Sequence, residues 1–198
     1  MQPCHPVTQG TAKSGLRRAF ESLLHDSLAN RSALVNYVEV SWPLTTDETL
    51  TVVVSGRQSS YDVVFTALAL GHCLHYGGAR GTGWGLFAQA RAVERWNDAL
   101  RGAELTAPVM TPDDARDLGL LYITFATGLL PRVEQHASRL TIHPDDLGPL
   151  TDPVVATAVY RSEDQWEVTG VLWVGRQYTF ALRLLPSGSI VDMWLSPA

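Results

Sequence analysis

Lysine is almost missing from this chain. Lys13 is the only one among fifteen cationic side chains, so the positive charge is nearly all arginine. The arginines are scattered, with Arg17-Arg18 the only adjacent pair, and the formal net charge is -5. A chain without a Lys/Arg-rich run has no electrostatic footprint for nucleic acid, which is therefore not an expected partner. Cysteine is equally scarce. Cys4 and Cys73 are too few for a disulfide framework, and reduced thiols are the expectation. No apolar run is long enough to span a bilayer, the longest lying around 63–70 and 118–130. The start, Met1-Gln2-Pro3-Cys4-His5-Pro6, lacks the charged and apolar regions of a secretion signal. Together these absences point to a cytoplasmic protein with no membrane partner.

What is present suits a globular fold. The chain has 198 residues, 45% of them hydrophobic and 18% charged, enough to bury a core. Residues 1–13 are polar, carry two prolines and show no period, so they read as a flexible tail, and 14–198 as a single α+β domain.

Ser14 offers an N-cap to a helix with Leu16, Phe20, Leu23, Leu24 and Leu28 at helical spacing. Val35–Trp42 and Leu50–Ser55 are β-branched and aromatic, and read as an N-terminal β-hairpin. A second helix is expected from Ser59 or Ser60, through Val64, Ala67 and Leu68, to a stop at Gly77-Gly78. A third runs from Thr82 past Leu86, Phe87, Ala90, Val93 and Trp96 to Gly102. Thr111-Pro112-Asp113-Asp114 starts a fourth, with cap, first-turn proline and acids in the preferred order. Pro131 restarts a short fifth piece ending near His136, and 140–152 is a connection.

Val154 to Leu195 reads as four consecutive antiparallel strands. The expected architecture is thus four or five helices packed on one face of a C-terminal four-stranded antiparallel meander, with the N-terminal hairpin added. Alternation assigns Trp166, Val168, Gly170, Leu172, Val174, Tyr178, Phe180, Leu182, Leu184, Val191, Met193 and Leu195 to the inner face. Hairpin connections of three and four residues then set Trp173 opposite Thr179, and Thr179 opposite Trp194. Glu167, Arg183, Asp192 and Tyr160 share that outer face. Paired tryptophans beside an arginine suit a surface that binds.

Other candidates are sparser. Gly77 to Gly85 is glycine-rich, and Arg80, Gly81 and Gly83 could hold a phosphate or carboxylate at a helix start. The run lacks the lysine of a P-loop and follows an expected helix, whereas a dinucleotide fingerprint follows a strand. His72, Cys73 and His75 have no second ligand pair at a recognisable spacing, so no metal is expected and their role is open. Asp113, Asp114 and Asp117 suit a first helical turn. Glu167 and Asp192 with Arg183 between them read as an ion pair before a catalytic dyad. No catalytic constellation and no cofactor are expected.

The leading expectation is a non-catalytic protein-interaction or self-associating protein that uses the outer face of the C-terminal sheet. Its alternatives are a small-molecule-binding protein or small enzyme with a pocket on that face, and anion binding at the glycine-rich loop 77–85.

Overall fold

The computed structural model describes residues 5–6, 13–28, 36–43, 50–58, 63–70, 73–81, 89–102, 111–132, 138–144 and 153–198. Among them are three helices, α1 (Lys13–Leu28), α2 (Gln89–Gly102) and α3 (Pro112–Thr127). Six strands form one antiparallel sheet: β1 (His5–Pro6), β2 (Asn36–Pro43), β3 (Leu50–Gln58), β4 (Val63–Leu70), β5 (Cys73–Gly81) and β7 (Thr141–Pro144). They lie in the order β1-β5-β4-β3-β2-β7. The second sheet holds β6 (Leu130–Pro131), β8 (Pro153–Ser162), β9 (Gln165–Val174), β10 (Arg176–Leu184) and β11 (Ile190–Pro197), in the order β11-β10-β9-β8-β6. Only β6 runs parallel to its neighbour, so this sheet is mixed.

The expected fold class is therefore wrong. The second helix does not exist: its residues are the hairpin β4–β5. In β4, Phe65 and Ala67 pack with α1, while Leu68 and Leu70 join the cluster that contains α3. A strand buried on both faces reads as an unbroken apolar run, which short-range periodicity cannot tell from a helix. Gly77 does not end a helix. It is the extra residue of a β-bulge, between Tyr76 opposite Ala67 and Gly78 opposite Thr66. The short fifth piece also fails in part, because Leu130–Pro131 pair with β8; residues 133–137 lie outside the described ones. Thr141–Pro144, expected in a connection, extend the first sheet beside β2. The meander does form, but as part of a five-stranded mixed sheet and not as the only platform.

The helices follow from their apolar spacing. Leu16, Phe20, Leu23 and Leu24 are buried on α1, with Arg18 and His25 exposed opposite. On α2 the buried set is Ala92, Trp96, Ala99 and Leu100. The start of α3 carries the capping box expected of its sequence: the Asp114 amide donates to Thr111 Oγ1, and the Thr111 amide donates to Asp114 Oδ2. Its end is Gly128, left-handed at φ 72°.

Between those caps α3 is buried almost all round, including Ala115, Leu118, Leu120, Leu121, Tyr122, Ile123 and Phe125. Such a helix needs cover on every side. It packs on strands of both sheets. Toward the second sheet the absent side chain of Gly119 lets the backbone approach, since a Cβ there would sit 3.2 Å from Leu182 Cδ2 and 3.3 Å from Val168 Cγ2. Toward the first sheet the Thr66 hydroxyl donates to the Phe125 carbonyl at 2.6 Å. The layers are thus α1, first sheet, α3 with α2, second sheet. The far face of the second sheet has no described layer over it.

Two observations concern the N-terminal region. His5 and Pro6, placed in the tail by sequence, pair with Leu74 and Cys73. Cys73 is disulfide-bonded, which corrects the expectation of reduced thiols; the other cysteine, Cys4, lies outside the described residues. Cys73 falls within the expected second helix, whereas it begins a strand.

Candidate functional site

The open face of the second sheet is built by alternation. Buried Trp166, Val168, Gly170 and Leu172 on β9, and Phe180, Leu182 and Leu184 on β10, fix the inner side. Met193 and Leu195 on β11 pack against the same core. Val191 departs from expectation. Arg183 pairs with Asp192 but Leu184 pairs with Ile190, so Val191 is the extra residue of a bulge. Ile190 turns inward at 2% exposure and Val191 outward at 41%.

That bulge and a tight turn at Gly175 move the register by two residues from the expected one. Val174 pairs with Arg176, so Trp173 stands opposite Gln177, and Thr179 opposite Val171. Across β11, Thr179 meets Ser196, and Trp194 meets Ala181. Outside the bulge, an even shift keeps the side chains on their assigned faces, but it parts the two indoles. Trp173 and Trp194 are four residues apart along β10, about 14 Å, and two strands apart across it. They do not flank Thr179.

The same shift assembles the charges. Tyr160, Glu167, Arg183 and Asp192 form one unbroken cross-strand row over β8, β9, β10 and β11. Arg183 Nε donates to Asp192 Oδ1 at 2.8 Å, and its Nη2 donates to Asp192 Oδ2. Donating to Asp192 raises the Arg183 pKa further, with the charges of Asp192 and Glu167 acting in the same direction and desolvation opposing. The Arg183 guanidinium also lies 4.5 Å from the centre of the Trp194 ring. Trp194 is 48% exposed and Tyr160 61%, while Trp173 is half-buried. Between them the small side chains of Ala158, Thr169 and Ala181 form the next row.

The glycine-rich candidate has a different setting from the one its chemistry needed. Arg80 and Gly81 are strand residues of β5, paired with Val64 and Val63. Gly83 lies outside the described residues, and α2 starts at Gln89. His72 also lies outside. His75 is buried on β5, where desolvation lowers its pKa. Among the described residues no group of three or more His, Cys, Asp and Glu is placed to hold a metal ion, and no helix is long and apolar enough to cross a membrane.

A polar cluster that sequence reading dismissed as an ordinary first turn lies at the start of α3. Asp117 is 1% exposed and accepts from Ser138 Oγ at 2.9 Å and from the Arg139 amide at 2.6 Å. Burial raises its pKa, against those two hydrogen bonds. Arg139 Nη1 reaches Asp114 Oδ1 at 2.9 Å, and its guanidinium lies over the Trp42 ring. These carboxylates bind segment 138–140 to the helix. The one signal in the sequence was Asp117 on the same helical face as apolar Leu121, at i and i+4.

Comparison with protein-family models, curated proteins and solved structures finds no match to this chain.

Proposed function

We propose that this is a non-catalytic interaction protein that docks a protein partner on the outer face of the β8–β11 meander. The observation that carries this reading is the outward-facing row from Tyr160 to Asp192, its middle half-buried, with exposed Trp194 beside it. Tyrosine, tryptophan and arginine are the residue types most enriched at interaction hot spots, and this face holds all three within two adjacent rows. Arg183 holds its guanidinium against the indole and is itself held by Asp192. A face ordered before binding loses less side-chain entropy on docking.

The same geometry argues against acid–base chemistry. Asp192 is engaged by Arg183 through both oxygens, and the row lies on an open sheet where water competes for any reacting group. The cytoplasmic expectation has lost one of its grounds, since a disulfide at Cys73 suits an oxidising compartment.

The test is a benzophenone amino acid at Thr169, in the middle of the face. Irradiation in cells should give a covalent adduct that disappears with Trp194→Ala plus Tyr160→Ala. Absence of any adduct, or an adduct indifferent to both substitutions, refutes the proposal.

A further inference from the structure

The β11 edge of the same sheet, which no described strand covers, we infer to be a self-association edge: two copies of this chain pair antiparallel through β11 and join their five-stranded sheets into one. This deepens the reading above and rests on it for the partner being a protein. It follows from which backbone groups the edge leaves open.

β11 ends the sheet, and no described strand pairs with its outer side. The Ala198 amide donates to the Gln177 carbonyl at 3.2 Å. In antiparallel pairing this phase sets the backbone groups of Asp192, Trp194 and Ser196 toward β10, and those of Met193 and Leu195 away from it. At the start of the strand the outward groups are already taken. Asn97 Nδ2 donates to the Ile190 carbonyl and the Ile190 amide donates to Asn97 Oδ1, both at 2.8 Å. At its end Pro197 has no N–H to offer. Among the described residues, the window left open is Met193 to Leu195.

Natural edge strands are normally blunted by lysine, proline, bulges or an unpaired charge. The window has none of these, because the bulge falls at Val191 and Asp192 is neutralised by Arg183. β8 differs in where its bulge falls, at Thr157 in the middle of the strand. The window also carries Trp194, the exposed indole.

The sequence of the window is complementary to itself about a two-fold axis at Trp194. Met193 then faces Leu195 of the second copy, each giving and taking a backbone hydrogen bond, with both side chains on the apolar inner face. Trp194 meets its own copy on the outer face. Asp192 meets Ser196 of the second copy, a small neutral side chain opposite a carboxylate, with the Ser196 hydroxyl already shared with Thr179 Oγ1 at 2.7 Å. Sliding by two residues one way sets Met193 against Pro197, which cannot donate. Sliding the other way sets Leu195 against the bulged Val191. The register is therefore specified at both ends.

Light scattering after size exclusion tests this on the intact chain. The wild type should have twice the 21.7 kDa mass of one chain. Ser196→Asp, which sets two carboxylates opposite each other, should give a monomer, and Ser196→Arg should leave the dimer in place. Ser196 is exposed, so neither change touches the core. A monomeric wild type, or an Asp variant that stays dimeric, overturns the edge pairing. The Thr169 adduct separates this from the face reading, since Thr169 lies two strands from the edge. A monomer that still cross-links loses the edge alone, and a dimer without adducts keeps the edge and loses the docking face.

Discussion

Thr66→Val is the sharpest probe of the contact between α3 and the first sheet. The Phe125 carbonyl belongs to the last turn of α3, where intrahelical partners run out. The Gly128 amide goes to Thr124, and the Leu129 amide to the Thr127 hydroxyl, so Phe125 depends on Thr66. Both residues are buried, at 4% and 0% exposure. Valine has the shape of threonine and a strand propensity at least as good, so the substitution removes a donor and little else. A carbonyl left unpaired in the interior costs about 1–3 kcal/mol. In a domain of this size each kcal/mol lowers Tm by roughly 2–4 °C, giving a fall of about 2–12 °C. Urea denaturation and thermal melting both read this. Thr66→Ser keeps the hydroxyl and should be the milder change, losing one methyl group at about 0.8 kcal/mol. A valine variant as stable as wild type, or a serine variant weaker than valine, would falsify the strand-to-helix hydrogen bond and with it the strand assignment of 63–70.

Three further outcomes follow from the same structure. Asn97→Ala should cost about 1–3 kcal/mol by removing both hydrogen bonds to Ile190, and limited proteolysis should then cut faster in the 185–189 turn. Cys73→Ser should lose about 2–4 kcal/mol and abolish the effect of reductant on the melting temperature; a wild type indifferent to reductant refutes this. Desolvation holds the His75 pKa below 6.5, so the unfolded chain takes up the proton first on acidification. Stability from this group is complete above pH 6.5 and declines as pH falls toward the lowered value. His75→Gln should flatten that part of the stability profile, and an unchanged slope would rule His75 out as its source.

Much of the second sheet could be read from the chain because one of its faces is wet. Polar Glu167, Thr169, Thr179 and Arg183 interrupt the apolar residues of β9 and β10 at even spacing, which leaves one assignment of faces. Register was not legible to the same degree. It depended on a one-residue turn at Gly175 and a bulge at Val191, and neither leaves a compositional mark beyond a glycine. The first sheet was misread for the opposite reason. β4 is covered by α1 on one side and α3 on the other, so Val-Val-Phe-Thr-Ala-Leu-Ala-Leu carries no alternation. With alanine and leucine as good helix formers, local propensity favoured the wrong element, and only the burial of both faces decides it. α3 was found correctly because its caps are local chemistry, independent of what surrounds the helix. That it lies between two sheets was visible only as an excess of apolar residues around its whole circumference.

The candidate site inherits this division. Membership of the outer face depends on parity wherever no bulge intervenes: Tyr160, Glu167, Trp173, Thr179, Arg183, Asp192 and Trp194 stand there, whereas Ile190, also expected on that face, turns inward and Val191 replaces it. Adjacency depends on register, and a shift of two residues exchanged one arrangement for another. The tandem tryptophans became one exposed indole clamped by Arg183, and scattered charges became a row four strands wide. The consequence for function is directional. A pair of neighbouring indoles would favour a flat apolar ligand between them. A single indole at the edge strand, with its charges already paired inward, favours growth of the sheet past that edge. The bulge that spoiled the register forecast also confines the open backbone to the Met193–Leu195 window, so one local irregularity both re-sorts the face and limits where a second strand can join.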